Sequence, residues 1–298
     1  MKFATGWLAG VLVAGCAWQV AATEGGGGAY QNGAEGFLVG AVPPPGLYLV
    51  NYDMFYSADS FKDGHGDTVP IDFDLQAAVD VVRLLNVTPV TVLGGNWAQH
   101  IMVPLAFLDV GVDTPGGRAT DKNFGMGDLI VDPFIVGWHK LPFHWGIGVD
   151  TFVPVGKYHE GSLANIGRNY WTFEPMAAMT YLNEGGQEVS VKAMYDFNTK
   201  NPDTDYLSGQ EFHADLAVAQ HCGNWTLGLG GFWYVQTTDD RQDGAVYKGG
   251  NRGRQVAVGP QGSYQCGSVT ISLVAEREFL TENRPQGDKV WLRAVIPL

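Results

Sequence analysis

EFHADLAVAQHCGNWTLGLGGFWYVQ, residues 211–236, is the stretch by which the whole chain can be parsed. Phe212, Ala214, Leu216 and Val218 fall on one parity, and Glu211, His213 and Asp215 on the other. His221-Cys222-Gly223-Asn224 interrupts the alternation with residues that accept the positive φ of a tight hairpin. Beyond it Trp225, Leu227, Leu229, Trp233 and Val235 share a parity, opposed by Thr226, Gly228, Gly230 and Gln236. Side chains on a strand alternate between faces, so this is a β-hairpin with an apolar face and a polar-or-small face. Each arm reaches the about ten residues with which a tilted strand crosses a bilayer. A long polar loop, 237–253, follows. Long strands, a tight turn at one end and a long loop at the other are the pattern of an outer-membrane barrel.

The same rule reads outward in both directions. Tyr48, Val50, Tyr52, Met54 and Tyr56 share a face opposite Asn51 and Asp53, and Ile71, Phe73, Leu75, Ala77, Val79 and Val81 alternate with Asp72, Asp74, Gln76 and Asp80. Long loops are expected at 58–68, 111–124, 155–169, 200–208, 237–253 and 277–287, and short turns near Gly94, Leu141, Gly185, Gly223 and Gly267. About twelve strands result, and an even number suits a bacterial single-chain barrel. The fold class is therefore all-β, a transmembrane antiparallel barrel over residues 46–298, with its N-terminus on the periplasmic side and its long loops outside. A soluble β-sandwich would rarely sort its loop lengths by end. Trp97, Trp138, Trp145, Trp171, Trp225 and Trp233 lie mostly near strand ends, where an aromatic girdle belongs.

Composition agrees. The 298 residues include 41 glycines and only 16% charged residues, against roughly 25% in soluble domains. The formal charge of −13 argues against nucleic acid as a partner. Residues 1–22 carry Lys2, an apolar stretch and Val20-Ala21-Ala22, which together read as a secretory signal peptide. Val13-Ala14-Gly15-Cys16 is the alternative, a lipobox whose cysteine is acylated. Residues 23–45, glycine-rich and then proline-rich, are a leader or a plug in the barrel mouth, with Tyr30, Phe37, Leu38 and Val39 available for burial.

Three stretches carry a family resemblance: Pro43-Pro44-Pro45-Gly46-Leu47-Tyr48, Gly125-Met126-Gly127-Asp128-Leu129 before Pro133, and Tyr206-Leu207-Ser208-Gly209-Gln210-Glu211-Phe212-His213-Ala214-Asp215. In their order and spacing over nearly the whole mature chain they resemble the MetA-pathway of phenol degradation family. That resemblance implies a bacterial outer-membrane barrel, in some cases encoded with aromatic-degradation pathways and described as a transporter. It brings no catalytic or binding residues. The partners it implies are outer-membrane lipid, the barrel assembly machinery and a small hydrophobic or aromatic solute. The chain departs from many outer-membrane barrels in ending Val295-Ile296-Pro297-Leu298 instead of in Phe or Trp.

Chemistry is sparse. None of the seven histidines forms a metal-binding spacing, and no nucleophile elbow or phosphate loop occurs, so neither cofactor nor metal is expected. His139 and His144 flank a turn that brings them together, and Asp203 and Asp205 offer carboxylates in an outer loop, both read as solvated. Alternation instead nominates a lumen lining. It comprises Asp128, Asp132, Asp150, Glu174, Lys192, Asp196, Glu211, His213, Asp215, Phe232, Tyr234, Arg254, Glu276, Trp291 and Arg293, joined by Asp72, Asp74, Asp80, Met102, Phe134, Phe152, Met176 and Met194. Mixed acids and aromatics suit a narrow conduit for amphipathic or aromatic molecules, and equally an interior whose side chains satisfy one another. Lys192 is expected to pair with Glu174 or Glu211, and Arg293 with Glu276 or Asp53. Cys222 and Cys266 precede glycines in successive periplasmic turns. The turns lie roughly 10 Å apart, further than a disulfide spans, but glycine flexibility and an oxidising periplasm favour a bond. The functional expectation is a channel for passive uptake of small hydrophobic or aromatic compounds. The alternatives are a membrane-embedded enzyme modifying lipid or lipopolysaccharide, and a structural barrel with a filled lumen.

Overall fold

The computed structural model describes residues 22–298. Residues 1–21, where the signal peptide and the alternative lipobox with Cys16 are expected, lie outside the described residues. In chain order the strands are β1 (Gly46–Phe61), β2 (Phe73–Val92), β3 (Gly95–Thr114), β4 (Gly117–Met126), β5 (Leu129–Lys140), β6 (Phe143–Val153), β7 (Thr172–Leu182), β8 (Gln187–Asn198), β9 (Tyr206–Leu207), β10 (Glu211–Cys222), β11 (Trp225–Gln236), β12 (Arg241–Gln242), β13 (Ala245–Val246), β14 (Arg254–Cys266), β15 (Val269–Glu282) and β16 (Pro285–Pro297). β1 pairs antiparallel with both β2 and β16 and β2 with β3, so the sheet closes on itself, with one edge of β4 the exception. Twelve staves make the wall, with β4 laid on the outer half of β3 while β5 takes its inner half. β4 and β5 thus form a single stave broken at Gly127-Asp128. The short strands β9, β12 and β13 form a small sheet of their own in the outer loops.

The opening hairpin reads as its alternation requires. β10 and β11 pair from Glu211↔Gln236 down to Cys222↔Trp225, about a turn in which Gly223 takes φ 62°. Leu216, Val218, Leu227 and Leu229 are exposed on the outer surface, whereas Glu211, His213 and Asp215 are almost fully buried inside. Apolar outside and polar inside is stable only if the outer solvent is lipid.

Three of the twelve staves, β1 to β3, depart from this rule in being apolar on the inner face as well, while Val82, Leu84, Ile101, Leu105 and Phe107 keep their outer face apolar. On β1, Val50, Tyr52 and Met54 are buried inside and Phe55 is exposed outside, with Asp53 opposite Asp80 on the outer face. On β2, Phe73, Ala77, Leu85 and Val87 are buried. Asp72, Asp74 and Asp80 therefore point away from the lumen, contrary to the expected lining. Alternation defines two faces without saying which is inner. β2 and β3, at 20 residues each, far exceed the about 9–11 that a bilayer needs, so their outer ends project past it and can carry charge outward. There Lys122 bridges Asp109 at 2.6 Å and Arg118 bridges Asp72 at 2.9 Å. The stretch 111–124, expected as a loop, is this projecting β3–β4 hairpin.

Residues 22–45 run the length of the lumen. The Ala22 amide donates to the Asn283 carbonyl (2.7 Å) at the long-loop end. Gly33 N–H donates to Asp215 (2.9 Å) midway, and Gly40 N–H to Thr180 (3.0 Å) near the turn end. Val42 packs against the cluster of Leu85, Val87, Ala98 and Ile135 just before β1 begins. The first described residues thus sit at the long-loop mouth, not at the periplasmic end. Glycine makes the passage possible. A Cβ on Gly40 would stand 2.4 Å from the Thr180 nitrogen, and one on Gly33, whose φ is +84°, would stand 2.2 Å from Glu276.

Candidate conduit

The lumen has two unlike walls. One, from β1, β2 and β3, is apolar: Tyr52, Met54, Tyr56, Ala77, Val79, Leu108 and their neighbours pack in layers. Between it and residues 25–35 of the N-terminal segment lies a cavity of ≈270 Å³, which Trp291, Met102 and Phe152 also line. Across the bore, and reaching back to Arg83 on β2 and His100 on β3, runs a network of charge. Glu35, from the N-terminal segment, accepts from Arg83 (3.3 Å), from the Tyr52 hydroxyl (3.1 Å) and from Arg293 (2.8 Å). Arg83 contacts His100 Nδ1 at 2.9 Å, and His100 Nε2 lies 2.8 Å from Asp150, an ion-pair distance without hydrogen-bond alignment. Lys192 approaches the other oxygen of Asp150 at 3.8 Å.

Of the nominated lining, Asp128, Asp132, Asp150, Glu174, Lys192, Asp196, Glu211, His213, Asp215, Phe232, Tyr234, Glu276 and Trp291 are all buried. Asp128 and Asp132 are committed to backbone. Asp128 accepts from Gly156 and Arg168 N–H (2.9 and 2.7 Å), and Asp132 from Phe134 and Val149 N–H (both 2.8 Å). Phe232 lies under the Lys289 ammonium, 4.7 Å from the ring centre, and Tyr234 under the Arg284 guanidinium at 4.2 Å. Of the pair Phe232 and Trp291, only Trp291 reaches the cavity wall.

Several expectations fail on geometry. Arg254 is exposed and bonds Glu282, because it shares the outward parity of Val258. Phe134 is 69% exposed and stacks on Trp97, because a register shift between Val131 and Val136 breaks the alternation. Lys192 pairs with Asp150 rather than Glu174 or Glu211, and Arg293 with Glu35 rather than Glu276 or Asp53. Cys222 and Cys266 are both free and exposed. The strand β11 stands between β10 and β14, and each turn closes on its own hairpin instead of bending toward the other.

At the outer mouth Asp240 gathers five donors. Its carboxylate accepts from Thr23 N–H (3.1 Å), Tyr206 hydroxyl (2.7 Å), Gly209 N–H (2.7 Å), Gln236 (2.8 Å) and Asn251 (3.0 Å). Burial raises its pKa above the usual aspartate value, and the hydrogen bonds from Tyr206, Gly209, Asn251 and Gln236 oppose that rise. Nearby, burial and the Glu24 charge push the Tyr158 phenol up to about 12.

The family described as MetA-pathway of phenol degradation matches residues 58–294. The chain belongs to that family. Its fold is that of an outer membrane channel from Pseudomonas putida F1, at a TM-score of 0.77 and 19% identity over 87% of this chain and 97% of that one. The β-domain of the Bordetella autotransporter BrkA is more distant, at a TM-score of 0.49 and 10% identity over 85% and 99%. A FadL homologue from Pseudomonas aeruginosa stands at 0.39 and 11% over 90% and 93%. No curated protein matches the chain in sequence. This member of the phenol-degradation family is an outer-membrane barrel.

Some lumen residues of this family member escaped the sequence reading. Glu278 and Lys289 share the parities of Glu276 and Trp291 and could have been found by extending them. Both are buried, Glu278 accepting from the Tyr56 hydroxyl (2.8 Å) and Lys289 donating to the Asn32 carbonyl (2.9 Å). Arg83 and His100 had no such signal, since they share a parity with the valines and leucines of the apolar inner wall. His213 bonds Asp196 at 3.2 Å rather than its neighbour Asp215, whose carboxylate takes Tyr30 (2.6 Å) and Gly33.

Proposed function

We propose that the protein is a channel for the passive uptake of small hydrophobic or aromatic compounds, with residues 23–45 forming a plug that shapes its bore. The observation that carries the reading is the apolar wall of β1–β3 facing the ≈270 Å³ cavity. A water-filled porin has no use for such a wall. An apolar cavity of about 150 Å³ already accommodates a benzene ring, so this one suits a single-ring compound. Around the cavity Glu35, Asp128 and Glu278 stand against Arg168, Lys192, Arg284 and Lys289, so the lining charge nearly balances and the apolar wall, not net charge, favours uncharged solutes. Neutral phenols and hydrocarbons are therefore the cargo, in preference to benzoates.

The test places charge on the apolar wall. In liposomes, Val79→Glu and Leu108→Glu should each slow entry of phenol or toluene about tenfold. Both should leave intact the mobility difference between unboiled and boiled protein that reports a folded barrel. Undiminished uptake in both variants would refute the route. Benzoate entering as fast as phenol would refute the solute class. Deleting residues 23–42 should raise the uptake of all solutes, whereas a barrel with a structurally filled lumen would lose its fold instead.

A further inference from the structure

We propose that Glu174, Asp196 and His213 form a binding site for a borderline divalent cation of the zinc class, on the lumen wall where β7, β8 and β10 run side by side. All three side chains are at least 99% buried. His213 Nε2 lies 3.2 Å from Asp196 Oδ1 and 3.4 Å from Glu174 Oε2, and one potential ligand atom from each residue lies within 4.8 Å of the others. Ligands on a tetrahedral zinc, at about 2.0–2.1 Å from the metal, stand roughly 3.3–3.4 Å apart. The imidazole is thus already spaced from each carboxylate as a neighbour around such an ion. The Glu174 and Asp196 oxygens, within 4.8 Å of each other, would draw together on the ion.

The second observation is the state of the carboxylates. Neither oxygen of Glu174 accepts a hydrogen bond from any described residue, and Asp196 Oδ2, Glu211 Oε1 and His213 Nδ1 are in the same condition. Buried carboxylates without donors are costly, and here they converge on a single imidazole. Of the cations on this wall, Lys192 is engaged at Asp150 and Arg293 at Glu35, and Arg284 lies over the Tyr234 ring. A divalent cation would satisfy Glu174 and Asp196 together. One imidazole with carboxylates suits zinc, and also manganese or ferrous iron, better than a soft metal.

The Tyr30 ring stacks on His213 at 5.0 Å, with its hydroxyl donating to Asp215. The N-terminal segment therefore covers the site. An ion there would tie three staves together directly beneath the segment. The exposed pair His139 and His144, whose Nδ1 atoms lie 2.7 Å apart on the β5–β6 turn, is a separate surface feature that would confuse a titration.

The experiment uses full-length barrel in detergent carrying His139→Ala and His144→Ala, stripped with chelator and titrated with Zn²⁺. Mn²⁺, Mg²⁺ and Ca²⁺ serve as comparisons. One equivalent of zinc retained through gel filtration is expected, with no Mg²⁺ or Ca²⁺ retained. His213→Ala should reduce retention to none, and Glu174→Gln should weaken affinity at least tenfold. Because either change can disturb the barrel, Co²⁺ is also loaded into the protein with these three ligands intact. A visible d–d band and an X-ray absorption shell containing a single imidazole are expected. Absence of retained zinc, retention unchanged by His213→Ala, or a cobalt shell lacking imidazole would overturn the proposal.

Discussion

Asp240, Glu35 and Asp215 all hold the N-terminal segment, each with a carboxylate shared among several donors. Replacing Asp240 with Asn swaps an acceptor oxygen for a donor nitrogen. With the nitrogen at the Oδ2 position Thr23 and Asn251 face a donor, and with the amide flipped Gly209 and Gln236 do, so a donor loses its partner either way. A buried donor left so costs roughly 1–3 kcal/mol, and amide exchange at residues 22–24 should quicken accordingly by mass spectrometry. Glu35→Ala strips Arg83 and Arg293 of their shared carboxylate. The penalty should be about 3 kcal/mol, the low end for a buried pair because these groups keep some exposure. Single-channel current should become larger or noisier as the segment loosens, and an unchanged trace would show that Glu35 does not restrain it. At the opposite end Cys222 and Cys266 are free and exposed. Both should react with maleimide in the folded, unreduced protein.

The β10–β11 hairpin and the β1–β2 pair show how one alternation serves two purposes. On the hairpin the apolar parity meets lipid. Leu216→Arg, at a side chain 46% exposed on that face, should cost roughly 2–4 kcal/mol if it lies near the bilayer midplane, read from urea unfolding in lipid vesicles. A soluble sheet would tolerate this substitution with little change. On β1 and β2 the outer parity stays mostly apolar and the inner parity is apolar too and walls the cavity, so the equivalent substitution at Val79 acts on solute entry. The break between β4 and β5 is a further property of the element. Gly127 N–H donates to the Pro104 carbonyl (2.9 Å), and Lys157 N–H to the Met126 carbonyl (2.8 Å). The loop after β6 thereby covers an edge of β4 that no strand pairs.

For the molecule as a whole, closure makes the barrel cooperative. Every stave is hydrogen-bonded on both sides, with the outer half of the broken stave as the exception. Unboiled protein should therefore migrate apart from the heat-denatured form and require detergent for recovery. A detergent-free soluble monomer would contradict an outer-membrane barrel. The N-terminal segment adds a second layer inside the first. It contributes Glu35, Tyr30 and the backbone donors of Gly33 and Gly40 to a charged wall that would otherwise face an open bore.

Strand period, turn chemistry and the sorting of loop lengths are local properties, so residues 211–236 and their repeats were enough to determine a closed barrel of about twelve strands in lipid. The same parity placed Glu174, Asp196, Glu211, His213 and Asp215 inside, because buried acids on a strand opposite lipid-facing leucines have nowhere else to go. Three things were decided only by the tertiary structure. The inner face of β1 and β2 is apolar because of what fills the lumen beside it, and no alternation within a strand records its neighbour across the bore. Lys192 reaches past its neighbouring strand to Asp150 on β6, and Arg293 pairs with Glu35 of a segment 258 residues away in the chain, so neighbouring-strand reasoning named the wrong partners. The bulges near Val136 and Val256 shift the register by tertiary fit. A one-residue slip turns each following side chain to the other face.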